Sequence, residues 1–143
     1  MKDIIKAVLT DYVDFIRGFK DLIYNQSIDE ENLYGTSGVI DDYKFRYHGA
    51  GCRLEKKGTI CEYDFLPENG FPIKFSSWKL QEFINTSEKW RGLDCGLEDL
   101  HESLLCLVEE KMLLLLELGG VQYPVFQVKD LDNFFKDDYH STK

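Results

Sequence analysis

Apolar residues recur at helical spacing from the start of the chain: Ile4, Ile5, Val8, Leu9, Tyr12, Phe15, Ile16, Phe19, Leu22 and Ile23. Lys6, Thr10, Asp14, Arg17 and Asp21 fall on the opposite side. This period predicts one long amphipathic helix over 2–25. Packed on a sheet, each fully buried side chain would contribute about 1.5–3 kcal/mol of transfer free energy. A helix lying on a membrane surface would show a polar face rich in Lys and Arg, and here the signs are mixed.

The clearest alternation follows later. Tyr43, Phe45 and Tyr47 alternate with Lys44, Arg46 and His48, the period-two pattern of a strand with one buried face. Gly49, Ala50 and Gly51 interrupt it, and the apolar positions then switch parity to Cys52 and Leu54. A one-residue bulge has this effect, so the pattern predicts a single bulged strand. Lys56, Lys57 and Gly58 form the turn, and the chain returns with Cys61, Tyr63 and Phe65 on one face. The implied register pairs Leu54 with Cys61 and Cys52 with Tyr63. Arg53, Glu62 and Asp64 are then left together on the solvent face.

The segments around this hairpin are less regular. Residues 26–42 hold five acidic residues and no basic one, with Gly35 and Gly38 among small polar residues, and read as a loop with room for one helical turn. Pro67 to Gly70 is a turn by composition, and Phe71 to Phe75 a short extended piece. Ser76 or Ser77 is placed to cap a helix running to about Asn85, with Trp78, Leu80, Phe83 and Ile84 as its core face. After a connector, Asp94 is placed to cap a helix over about 97–110, where Leu97, Leu100, His101, Leu104, Leu105 and Val108 share a stripe.

From Met112 onward the chain reads as a second hairpin, because Gly119-Gly120 separates two apolar runs. The alternative extends the preceding helix to Leu118 and stops it at Gly119. Pro124 points to an edge position for the last strand. The tail from Lys129 reads as a short helix that frays. Together these elements predict a single α+β domain over 1–143. Its small antiparallel sheet consists of two hairpins, about 43–66 and 112–128, packed against the long N-terminal helix and two further helices.

Composition narrows the function. An apolar content of 43% with 14% aromatics fits a packed core. The formal charge of −9 argues against a general nucleic-acid binder, which would present a basic face. It suits a protein that offers an acidic surface to a basic partner. Cys52, Cys61, Cys95 and Cys106 contain no C-x-x-C pair, which weighs against a zinc ribbon. Asp3 and Asp11 interrupt the N-terminal apolar run, so it is no secretory signal, and Met112 to Leu116 is too short to span a bilayer. The expectation is a cytoplasmic protein with reduced thiols and no membrane association.

Two readings of His48-Gly-Ala-Gly-Cys52 stay open. In one, His48 and Cys52 supply a base and a nucleophile, or two metal ligands, with Asp64 or Glu62 orienting the histidine. In the other, the glycines are a bulge and Cys52 is a small core residue. His101 with Glu98 and Glu102 has metal-ligand spacing, although a solvated acidic face is the ordinary reading of that helix. No cofactor signature stands out, and neither a cofactor nor a metal is expected.

The segment YHGAGCRLEKKGTICEYDF, followed by FSSWKLQEFI, resembles a family of small uncharacterised bacterial proteins. That family carries a His-Gly-x-Gly-Cys-Arg strand, a return strand ending Asp-Phe and then an aromatic-rich helix. The matching positions are His48, Gly49, Gly51, Cys52, Arg53, Asp64, Phe65 and Trp78. The match covers about a third of the chain and brings no catalytic assignment. The resemblance implies a place among bacterial toxin–immunity systems.

Three functions follow. The first is an acidic, immunity- or antitoxin-like protein that occludes a basic toxin or nuclease. Glu98, Asp99, Glu102, Glu109, Glu110 and Trp90 would be its contact residues. The second is a small thiol-dependent enzyme built on His48, Cys52 and Asp64. The third is an adaptor domain.

Overall fold

The computed structural model describes residues 1–48, 51–64, 73–116 and 125–128. Its first element is α1 (Lys2–Asn25), the helix that the periodicity predicts. Ile5, Val8, Leu9, Tyr12, Val13, Ile16, Phe19 and Ile23 form its buried stripe. A single 3-10 turn at Glu30–Leu33 follows, started by the Asp29 carboxylate, which accepts from the Glu31 amide.

Seven strands make one antiparallel sheet: β1 (Ser37–Ile40), β2 (Tyr43–His48), β3 (Gly51–Lys56), β4 (Thr59–Asp64), β5 (Lys74–Ser76), β6 (Leu113–Leu116) and β7 (Val125–Val128). Their spatial order is β1-β2-β3-β4-β5-β7-β6. Two helices intervene before β6, α2 (Ser77–Thr86) and α3 (Leu97–Glu109). The α+β architecture, the long helix, the β3–β4 hairpin and an antiparallel β6–β7 pair are present.

The register of β3 on β4 is the one the side chains imply, with Cys52 opposite Tyr63 and Leu54 opposite Cys61. Lys57 and Gly58, at φ 51° and 85°, form its two-residue turn, while Lys56 still belongs to the strand. Positive φ at both turn positions matches the right-handed twist of the flanking strands.

Several expectations need correcting. The parity switch after His48 is a chain reversal and not a bulge, because β2 and β3 pair antiparallel with His48 opposite Gly51 and Tyr47 opposite Cys52. Gly49 and Ala50 themselves lie outside the described residues. Residues 26–42 contain the extra strand β1, which pairs with β2 from Ser37–Arg46 to Ile40–Tyr43. β7 is interior, between β5 and β6, so the edge that Pro124 suggested belongs to β6. Pro124, the Gly119-Gly120 turn, Phe65, the turn at 67–70 and the tail helix fall outside the described residues.

The two faces of the sheet differ in kind. Tyr43, Phe45, Tyr47, Cys52, Leu54, Cys61, Tyr63 and Phe75 are buried on the face beneath α1. There Phe19 meets Tyr43, Phe45 and Tyr47 at ring distances of 5.5, 5.7 and 6.4 Å. Tyr12 packs on Phe75 and Phe83, and its hydroxyl donates to the Glu62 carbonyl at 2.6 Å. The other face carries Lys44, Arg46, His48, Arg53, Glu62 and Asp64.

A gap in the sheet positions α2. β5 pairs with β4 only at Lys74–Asp64, and the chain then turns helical at Ser77. α2 therefore runs along the flank of β4 where a strand would continue. Its last turn supplies the missing bonds: Thr86 Oγ1 accepts from the Ile60 amide at 2.9 Å, and the Thr59 hydroxyl donates to the Thr86 carbonyl at 3.3 Å.

Candidate functional site

Of the matched positions, His48 and Asp64 flank Gly51 across its two neighbouring strands, with Cys52 next in the chain, but not as a thiol site, and Gly49 and Phe65 lie outside the described residues. Alternation sends Cys52 to the α1 face, where it is fully buried, while His48 lies exposed on the opposite face. Burial pushes the Cys52 thiol up to about 12, against a weaker opposing effect from its bond to Tyr63. A thiolate nucleophile requires the reverse shift. The pairing of His48 with Cys52 as base and nucleophile, or as metal ligands, therefore fails on geometry. Cys61 is also fully buried and shifted up by desolvation.

On the face opposite α1, β3, β4 and α2 build a row of alternating charge. Arg53 sends both terminal nitrogens to Glu82, Nη1 to Oε1 and Nη2 to Oε2, each at 3.1 Å. Nη1 also reaches Glu62 Oε1 at 3.1 Å. Glu62 Oε2 lies 4.0 Å from Lys79 Nζ, which pairs with Asp64 Oδ1 at 2.9 Å. The order Glu82, Arg53, Glu62, Lys79, Asp64 fastens α2 to the strands it flanks. The sequence places Arg53, Glu62 and Asp64 on one solvent face. The structure keeps them together but only partly exposes them.

Gly51 belongs to this arrangement through its missing side chain. A Cβ built there would meet Asp64 Oδ1 and the Tyr63 carbonyl oxygen, each at 2.8 Å, with His48 Cε1 at 3.6 Å. The Tyr63 oxygen is backbone inside the β3–β4 ladder and cannot step aside. Gly51→Ala is expected to destabilise the fold by about 1–3 kcal/mol, the usual cost of overpacking. Urea denaturation measures it, and an unchanged midpoint would remove the close-approach explanation for this glycine.

α2 also departs from its predicted face. Its buried residues are Lys79, Leu80, Phe83 and Ile84, while Trp78 is 43% exposed. The carboxylates of β4 draw the lysine inward, and its ammonium sits 5.6 Å from the Trp78 ring. Ser76 is the N-cap residue, without a side-chain capping bond.

The proposed contact helix lies as expected with respect to solvent. Glu98, Asp99, Glu102, Glu109 and Glu110 on or just after α3 are all exposed, and Glu110 pairs with Lys2 Nζ at 2.7 Å. Cys106 is exposed on the same helix, unlike the other three thiols. The buried stripe is Leu100, Ser103, Leu104 and Leu107, with Leu97 49% exposed. The helix starts from Gly96 and not from a capping Asp94. His101 packs edge-on against Phe126, with ring centroids 5.8 Å apart. Among the described residues no three His, Cys, Asp or Glu side chains form a metal-binding group.

Trp90 is committed within the molecule. It is half-buried, and its indole N–H donates to Asp11 Oδ2 at 2.8 Å. The Lys89 ammonium lies 5.0 Å over its ring and 3.2 Å from the same Asp11 oxygen. Among the described residues no helix is long and apolar enough to cross a membrane.

A family model described as a domain of unknown function, DUF6896, matches residues 2–128. No curated protein and no solved structure matches the chain.

Proposed function

We propose that this chain, which belongs to the DUF6896 family, is an acidic binding module that docks on a basic protein partner and occludes it. An immunity protein or antitoxin does this to a toxin or nuclease. The observation that carries the reading is the solvent face of α3. Glu98, Asp99, Glu102 and Glu109 pair with no cation among the described residues, and only Glu110 is engaged, by Lys2. Concentrated negative potential on one helix steers a positively charged partner and raises its association rate.

Capture from the native cell lysate at low and high salt, read by mass spectrometry, identifies the partner. Reversing Glu98, Glu102 and Glu109 to Lys is then expected to slow association about tenfold at low salt, and much less at high salt where the field is screened. Binding should also protect Cys106, on the same helix, from alkylation. An unchanged association rate together with an unprotected Cys106 would sink the α3 assignment.

A further inference from the structure

We propose that the N-terminus of α2 binds a phosphate group. The first amides of any helix lack an intrahelical acceptor, and the partial positive charge gathered there attracts anions. An N-cap serine satisfies one of these amides through its hydroxyl oxygen. Ser76 holds the N-cap position of α2 and makes no such bond. Its extended backbone, φ −102° and ψ 165°, nevertheless sets the side chain beside the first-turn amides.

The hydroxyls themselves are the second, independent observation. Ser76 is only 6% exposed, and its Oγ is buried with no hydrogen-bond partner. Ser77 Oγ, at the first helical position, is also buried without one. Hydroxyls buried in this way are costly, and pairs of them at one helix end call for an acceptor. Two O–H groups and the amides of Ser77, Trp78 and Lys79 thus converge as donors. A phosphate group offers them three strong acceptor oxygens. Both hydroxyls are closed to solvent, so binding turns each about χ1 toward the incoming oxygens.

The local charge has the matching sign. The first turn of α2 holds no acidic residue, although the chain carries 26 Asp and Glu. Alternation along β5 puts Lys74 on the same sheet face as Ser76. Asp64, opposite Lys74 in the β4–β5 pair, is held by Lys79 Nζ at 2.9 Å. Lys74 therefore pairs with no carboxylate among the described residues and is available to an anion at the cap. Trp78, 43% exposed, marks the solvent side of this helix start.

The test titrates ¹⁵N-labelled full-length protein with sodium phosphate and, separately, with adenosine 5′-monophosphate, sodium chloride holding the ionic strength constant. The largest amide shifts are expected at Ser77, Trp78 and Lys79 in both arms. Equal or weaker binding of the nucleotide assigns inorganic phosphate. Tighter binding with a shifted Trp78 indole resonance assigns a nucleotide, its base stacked on the exposed ring. Ser76→Ala with Ser77→Ala should weaken phosphate at least about fivefold, the scale of losing two hydrogen bonds to a charged group. Lys74→Gln, which leaves the helix start intact, should weaken it about threefold. Shifts no larger than those sodium chloride alone produces, or an affinity indifferent to both variants, would overturn the proposal. The α3 reversals should leave phosphate binding within about twofold, so the site stands or falls apart from the acidic face.

Discussion

Raising the pH above 9 is expected to unfold this protein steeply, starting below the pH at which most surface groups have any bearing. Cys52 illustrates the sign. Its thiol is held protonated in the fold up to about 12, whereas in the unfolded chain it ionises near 9.0. Below 9 both states keep the proton and the group has no effect. Between 9 and 12 only the unfolded state releases it, so stability falls by about 1.4 kcal/mol per pH unit, or about 4 kcal/mol across the window. Cys61 is shifted the same way by burial, and above 10 the phenols of Tyr12, Tyr47 and Tyr63 join it. Urea midpoints measured under reducing conditions should hold to about pH 9, then fall with a slope that steepens past 10. Replacing Cys52 and Cys61 with Ser should flatten the first part of that fall and leave the second. A midpoint constant to pH 11, or rapid labelling of more than Cys106 in the native protein at pH 8, would contradict it.

The same residues show how far the chain could be read without coordinates. Pairing of Cys52 with Tyr63 and Leu54 with Cys61 was legible because each strand buries alternate residues and Lys57-Gly58 permits one tight turn. The parity switch after His48 was equally visible but ambiguous. A bulge and a reversal both move the apolar positions by one, and both favour glycine. β1 was hidden because Ile40 is its only buried residue and acidic residues flank it. For the candidate site, the exposed carboxylates of α3 were legible from helical spacing alone. The charge row was legible only in part. Arg53, Glu62 and Asp64 share a strand face by parity, but nothing in residues 77–86 shows that α2 fills a gap beside β4. Apolarity favours Trp78 as the buried residue. Two carboxylates waiting on β4 reverse that preference and bury Lys79.

Lys79→Ala is accordingly expected to be the most damaging single charge removal among the described residues. The side chain is 9% exposed and faces Asp64 and Glu62, themselves 37% and 13% exposed. Removing one partner of a buried pair costs about 3–5 kcal/mol, because the remaining charge is left desolvated and uncompensated. Solvent reaches Asp64 and screens part of that penalty, which brings the expectation to about 2–3 kcal/mol. Glu62 keeps Arg53, so most of the loss belongs to Asp64. Asp64→Asn added to the Lys79→Ala background should therefore recover about 1 kcal/mol or more. Lys79→Met keeps the buried methylenes and isolates the charge from the packing. A full double-mutant cycle by urea denaturation decides the matter. Strict additivity would mean that the ammonium does not hold Asp64, and that α2 is kept in the gap by Leu80, Phe83 and Ile84 alone. Coupling above 1 kcal/mol would make the charge row the fastening that lets a helix occupy the place of a strand.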